Sequence, residues 1–474
     1  MPHIDSRRWL ALLTCCSALF MTLLDVSVTN VALPSIGRET GAAPSELQWV
    51  VSGYTLAFGL VPVLGGRLGD DHGRRLMFQV GAVSFAATSM LAGFAPTIGV
   101  LIAARVLQGL AGGLINPQVS GLIQQLFHGH ERGRAFGVLG TTVGLGTALG
   151  PLVGGAVIAL GGEQLGWRLV FFLNVPIGIV VILLARRLLP ADPARGRHRL
   201  DVLGALLLGG VTFCVLFVSV QYRVLPGWLL GTLPVVLVVL LVLFLRRERR
   251  LTRLRRDPLV DLRLFREPSY AAGSLLALAY FPAVAGIPLV LTLYYQQGLG
   301  YTALQAGLGA TAYALGNAVA APLAGRFVTR VGRPLLVAAT VTYGLGAIAL
   351  AVLVGHAPAE RVALVLAPAL FVMGAGAGAV VTPNQTLSLL SVDPAVGSTA
   401  GGVLQTAQRI GLAIGQAVIG AAFFASVGTT GTSATRYGGA FGTAVVVTLG
   451  FVTLATVVGV VDLIRTRVRE RVRA

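Results

Sequence analysis

The chain has 474 residues, 55% of them hydrophobic and only 11% charged, with 62 glycines and a mean hydropathy of +0.82. Soluble globular chains are about 25% charged, so this composition argues against a soluble single-domain enzyme, a disordered chain or a secreted disulfide scaffold. A net charge of +18 first suggests a polyanionic partner, but all 36 basic residues are arginine and sit in short clusters between long apolar runs.

Walking the chain gives fourteen runs able to cross a bilayer core of about 30 Å as helices. They are 10–33, 47–66, 76–95, 98–124, 135–160, 167–188, 202–221, 227–245, 270–294, 303–325, 334–354, 361–386, 400–427 and 440–463. None alternates in polarity, which points to helices and not a barrel. Run 47–66 carries several polar residues, and run 303–325 is rich in alanine and glycine. Arg7 and Arg8 precede an apolar stretch that continues to about Ile36 without a small-residue cleavage site, so it reads as a retained first span and not a signal peptide. Cys15, Cys16 and Cys214 all lie in apolar runs and form no disulfide or zinc spacing. The six histidines fall outside the apolar runs or at their ends, and no metal site is expected.

Arginine placement sets the expected orientation. With a cytoplasmic N-terminus, 29 arginines fall on the inside and five (Arg38, Arg168, Arg223, Arg361 and Arg436) on the outside. Such asymmetry is the positive-inside signature of a cytoplasmic (inner) membrane protein with both termini inside. The surplus charge thus marks one membrane face, with some attraction to the lipid bilayer's anionic headgroups. The tract Arg246–Arg256 is a short loop between two spans, and no nucleic-acid partner is expected for it.

The long polar connections 186–201 and 246–269 flank one pair of runs; removing that pair leaves six runs before and six after. The segment GGRLGDDHGRRLMF at 65–78 and GRFVTRVGRP at 325–334 share a spacing, Gly66 to Gly73-Arg74 and Gly325 to Gly332-Arg333. A repeat of this kind implies two bundles with a substrate site between them. The expected division is 1–190 as an N-terminal six-helix bundle, 191–265 as two linker helices with flanking cytoplasmic loops, and 266–474 as a C-terminal six-helix bundle with a short basic tail.

Four segments carry chemistry. Gly66-Arg-Leu-Gly-Asp70-Asp-His-Gly73-Arg74-Arg75 combines a tight turn with an acid able to accept from a helix N-terminus or pair with an arginine. Gly146-Thr-Ala-Leu-Gly150-Pro151-Leu-Val-Gly154-Gly155 offers small residues for close helix approach and a proline bend. Arg105-Val-Leu-Gln108-Gly109 places a costly cation inside a span. Leu24-Asp25-Val-Ser-Val-Thr-Asn30-Val-Ala-Leu-Pro34 contains the acid that lies well inside a run, while Asp462 lies near the end of the last one.

With these four segments the chain resembles the major facilitator superfamily, and within it the fourteen-helix drug:proton antiporters of the QacA/EmrB type. The resemblance covers nearly the whole chain. It implies an all-α membrane protein with two six-helix bundles plus two extra transmembrane helices (14 TM), exporting small amphipathic compounds such as antibiotics by alternating access. Asp25 and Arg105 are then the proton-coupling pair, because burial strengthens a carboxyl's hold on its proton while a neighbouring cation weakens it. Gly66, Asp70, Gly73, Arg74 and Arg75 become a conformational latch; Thr329 replaces the acid in the second copy. Gly146, Gly150, Pro151, Gly154 and Gly155 become the antiporter motif.

Candidate cavity residues are Asn30, Tyr54, Gln108, Tyr280, Tyr294, Tyr313, Asn317, Asn384, Gln385, Gln405, Gln408 and Gln416, polar groups that must face a partner or a wet path. No acid lies mid-span in the second half, which suits dications poorly. Arg409, read as near the cytoplasmic end of its run, suits anionic substrate or lipid, and positive-inside topology explains it about as well. The expected partners are a small-molecule substrate and protons, with the chain acting as a monomer. No cofactor is expected beyond a proton gradient. A phosphate-binding G-x-x-x-x-G-K-[ST] loop requires a lysine, which the chain lacks. The rival readings are an exporter of one dedicated cargo, a passive channel, and a membrane-embedded enzyme built on His128, His130 and Glu131.

Overall fold

A computed structural model describes residues 6–190, 201–221 and 225–473, apart from 255, 257, 357, 359, 360 and 428–431. The elements are helices: α1 (Ser6–Thr40), α2 (Pro44–Leu60), α3 (Pro62–His72), α4 (Arg74–Gly93), α5 (Ile98–Leu126), α6 (Gly129–Phe172), α7 (Asn174–Leu188), α8 (Val202–Gln221), α9 (Gly227–Arg253), α10 (Pro268–Leu293), α11 (Ala303–Val331), α12 (Arg333–Val354), α13 (Val362–Ser388), α14 (Gly397–Ser426) and α15 (Ser433–Arg473).

Among the described residues, eleven helices are long and apolar enough to cross a membrane, or twelve if the bent pair Ser45–Leu60 and Pro62–His72 is one span. That pair is run 47–66 of the sequence, bent by 46° where Pro62 begins the second helix. Fourteen spans were expected. Run 303–325 is helical within α11 but outside the eleven, as its alanine and glycine content dilutes its hydropathy. Run 135–160 lies in α6, whose shorter apolar stretch Leu152–Gly162 ends where Gly162 leaves helical geometry. The surface is apolar where lipid would lie: Leu160, Leu364 and Trp228 are 89%, 74% and 68% exposed. Exposed apolar area on this scale marks a lipid or partner-facing surface.

Helices α1 to α7 pack on one another, as do α10 to α15. The two groups meet through α3 and α5 against α14, and through α6 against α11 and α13. Between them in sequence, α8 packs on both α2 and α14, with Leu216 touching the cluster of Leu56 and Ala413. The inserted pair therefore covers a seam between the groups. Helix α9 continues past residue 245 and carries Glu248, a fully buried acid that accepts from the Val260 amide at 3.1 Å. Gly73 (φ 101°) and Gly332 (φ 68°), equivalent in the repeat, hold positive φ at the breaks after α3 and α11, a conformation that a side chain would resist.

Candidate functional site

Asp25 on α1 and Arg105 on α5 meet inside the first bundle. Arg105 Nη1 donates to Asp25 Oδ2 at 2.5 Å, and both side chains are at most 1% exposed. Further hydrogen bonds surround the pair, as a buried charge requires. Arg105 also donates to Gln108 Oε1 at 2.6 Å and to the Val50 carbonyl at 3.2 Å, and its guanidinium lies 4.3 Å from the Tyr54 ring centroid. Asp25 Oδ1 accepts from Gln108 Nε2 at 3.0 Å and from Asn174 Nδ2 at 2.7 Å. Gln108 and Asn174 both donate to Ser89 Oγ, at 3.0 and 2.9 Å, and Ser89 donates to the Phe171 carbonyl at 2.9 Å. Helices α5 and α7 thus converge on the α1 carboxylate, with Ser89 of α4 joining their amides behind it.

The first copy of the repeat holds the two bundles together. Asp70, at the end of α3, accepts from the Ser398 amide at 3.1 Å and from the Thr399 amide and hydroxyl at 2.7 and 2.8 Å. Those amides open α14, where an anion is favoured by the unpaired N–H groups and the helix dipole. Arg74 donates to Asp70 at 2.9 and 3.2 Å, to the Gly121 carbonyl at 2.8 Å and to the Pro394 carbonyl. Gly66 completes the closure, since a Cβ there would lie 2.3 Å from the Ser398 carbonyl oxygen. Arg75 donates instead to the Arg186 carbonyl within the first bundle.

The second copy repeats this arrangement with different chemistry. Gly325 faces Gly133 and Gly137 of α6, and Thr329 Oγ1 lies 2.6 Å from His130 Nδ1 near the start of that helix. Arg333, the counterpart of Arg74, pairs within its own bundle with Asp462. The pairs Gly133/Gly325 and Gly144/Asn317 bound the close approaches of α6 to α11. Glu131 pairs with Arg8 at 3.2 Å, so His130 and Glu131 are committed to different helices and form no enzyme-like cluster.

Gly146, Gly150 and Gly154 line the face of α6 that packs on α1 next to Asp25; a Cβ at Gly150 would lie 2.0 Å from Ser27 Cβ. Gly155 has nothing within 4 Å of its Cβ position, and the Pro151 side chain lies outside the described residues. Overpacking a tight contact costs about 1–3 kcal/mol. Gly150→Leu is therefore expected to lower the Tm in detergent by several degrees, with Gly155→Ala leaving it nearly unchanged; equal shifts in the two variants would contradict this packing.

The candidate cavity residues separate. Tyr54 and Gln108 join the Asp25 cluster. Gln405 donates across the bundles to the Asn116 carbonyl and Ser120 Oγ, at 3.3 and 3.2 Å. Asn317 borders Gly144 of the other bundle, while Asn30 and Gln416 are exposed. Tyr280 stacks edge-on with Tyr343 at 5.5 Å, and Tyr294 stacks on Phe441 at 5.4 Å, both inside the second bundle's core. A Cβ at Gly374 would touch the Tyr313 carbonyl oxygen, placing Tyr313 against α13. Asn384 donates to the Gly273 carbonyl at 3.1 Å, and Gln385 is buried beside it. Ser89 and Asn174 were missed by sequence reasoning. Asn174 carried a readable signal, an amide alone in the apolar run 167–188.

Two packed helical bundles with a buried ion pair in one and a polar closure between them define a membrane transporter of the two-bundle class. Residues 15–416 and 273–472 match the Major Facilitator Superfamily, and the chain belongs to that family. It is 39% identical over 435 residues to the probable actinorhodin transporter of Streptomyces coelicolor, covering 91% of this chain and 75% of that protein. It is 36% identical to the puromycin resistance protein pur8 of Streptomyces alboniger (90% and 85% covered) and 31% identical to the multidrug resistance protein Stp of Mycobacterium tuberculosis (87% and 75%). The fold is similar to that of the human organic anion transporter MFSD10, with a TM-score of 0.68, 16% identity and 95% and 99% of the two chains covered. It is also similar to the proton:xylose symporter XylE, with a TM-score of 0.65, 16% identity and coverage of 94% and 95%.

Proposed function

We propose that this transporter is a proton-coupled antiporter that exports small amphipathic compounds of the antibiotic class across the cytoplasmic membrane. The carrying observation is the Asp25–Arg105 pair, an ionisable couple sealed inside one bundle and held by groups from several helices. In this reading Asp25 takes up a proton from outside, separates from Arg105, and releases the proton inside as the bundles rock around a substrate site. The names of the relatives support the cargo class, and the resemblance of 146–155 to the antiporter motif supports exchange over symport.

We place the arginine-rich connections in the cytoplasm, with both termini inside. The Asp70 closure is then the cytoplasmic gate, and we read it as closed. We further read α6 and α11 as spans, which with the bent pair gives fourteen: six, then the α8–α9 pair, then six, in the divisions 1–190, 191–265 and 266–474. Both bundles and the buried pair belong to one chain, which supports a working monomer.

A compound screen tests the reading. Cells overexpressing the chain should tolerate several structurally unrelated amphipathic antibiotics, and a protonophore should restore cellular accumulation. Accumulation unchanged by expression for every compound would overturn export. Export that persists with the proton gradient collapsed would overturn coupling. Resistance to a single compound would select a dedicated-cargo exporter, a reading favoured by relatives named for one compound.

A further inference from the structure

Arg409 lies more than three turns into α14, roughly 18 Å from the helix start at 1.5 Å per residue. That depth is the middle of a span and not its end, because α14 begins at Gly397, three residues before the apolar run. A cation at such depth is costly unless it meets a counter-charge or a water-filled cavity. Arg105, the comparable cation of the first bundle, has Asp25. Among the described residues Arg409 has neither a carboxylate nor a hydrogen-bond partner; its guanidinium lies 4.3 Å from the centroid of the Phe58 ring on α2.

Phe58 stands 5.8 Å from Tyr54, whose ring carries Arg105. Two arginines therefore rest on neighbouring rings of one helix, one with its charge matched and one without. A second observation points to the same place. Gln408 Nε2 is buried with no hydrogen-bond partner, and so is Gln405 Oε1. Residues 405, 408 and 409 share one face of α14, by the i,i+3 and i,i+4 spacing of a helix. Gln405 also reaches across to α5, so this face looks onto the opposite bundle. Unsatisfied buried donors are uncommon in folded proteins and call for a partner.

We propose that Arg409 and Gln408 form the anion-binding end of the substrate site, taking the carboxylate of an exported aromatic compound. A guanidinium fits a carboxylate bidentately, and the amide of Gln408 adds a third donor. The proposal deepens the export reading and rests on it. It also gives the two sites a physical connection, because the Phe58 ring under Arg409 packs on Tyr54 of the Asp25 cluster.

The test is equilibrium binding to the purified chain in uncharged detergent, with no gradient, so that its outcome is independent of proton coupling. The probes are anthraquinone-2-carboxylate and the neutral anthraquinone-2-carboxamide, matched in shape and differing by one charge. Wild type should bind the carboxylate about tenfold more tightly than the amide. Arg409→Gln should lose that preference while still binding the amide, and Arg409→Lys should keep most of it. Equal affinity of wild type for the two probes would overturn the proposal, as would a preference that survives in Arg409→Gln. If Arg409→Gln fails to fold, the Lys variant decides: a retained preference supports the assignment and a lost one overturns it. The measurement is repeated with phosphatidylglycerol added. Loss of the preference there would assign the site to a lipid headgroup and overturn the cargo assignment.

Discussion

Asp25→Asn is expected to abolish proton-driven accumulation of substrate in vesicles while leaving substrate-for-substrate counterflow largely intact. Asparagine is nearly isosteric and its carbonyl oxygen still accepts from Arg105, Gln108 or Asn174, which surround this position at 2.5 to 3.0 Å. It carries no titratable proton, so the step that couples the two gradients is removed. Uphill transport should fall at least tenfold, to the background of empty vesicles. Some stability is lost as well, since Arg105 is then buried without its counter-ion, a change that typically costs about 3–5 kcal/mol when one partner of a buried pair is removed. Counterflow separates the two effects, because a misfolded chain loses it and an uncoupled one keeps it. Undiminished proton-driven accumulation in this variant would sink the coupling role of Asp25.

The second large effect is expected from Asp70→Asn. Its carboxylate ties α3 to the first turn of α14 through three donors and holds Arg74 as well. Hydrogen bonds to a charged group contribute about 1.5–3 kcal/mol each in a buried setting. Losing roughly 3 kcal/mol from one state of a two-state equilibrium moves its population ratio by about a hundredfold. The consequence is a shift away from the closed gate. It can be read from a cysteine placed at Ser120, which is buried behind the closure, in a background without Cys15, Cys16 and Cys214. A membrane-impermeant maleimide applied from the arginine-rich side should label Ser120→Cys slowly when Asp70 is intact and much faster in Asp70→Asn. Equal labelling rates would contradict a latch.

What the sequence made legible follows from the cost of polarity in an apolar chain. Asp25, Arg105 and Gln108 stand out because each is expensive in its run, and the structure brings them within hydrogen-bond reach of one another. Serine is common in membrane helices, so nothing marked Ser89 as the point where Gln108 and Asn174 meet. The repeat pointed to Asp70 but not to its partners. Ser398 and Thr399 lie more than 300 residues away, and the helix N-terminus they form is visible only once α14 is placed. The same is true of Arg409. Its run was known, but its depth depended on where the helix begins and its lack of a counter-charge on what surrounds it. The aromatic candidates divided for a similar reason. Tyr280 and Tyr294 are polar enough to be picked out, yet their rings pack inside the second bundle beside Tyr343 and Phe441.

Antiport means opposed flow of protons and cargo, and reconstituted liposomes measure it directly. The purified chain is placed in liposomes containing a pH-sensitive dye, and a gradient of an exported compound from the screen is imposed with no initial pH difference. Antiport predicts that cargo moving down its gradient drives protons the opposite way, and that a protonophore erases the pH change. Cargo flux without proton movement, or protons moving with the cargo, would contradict it.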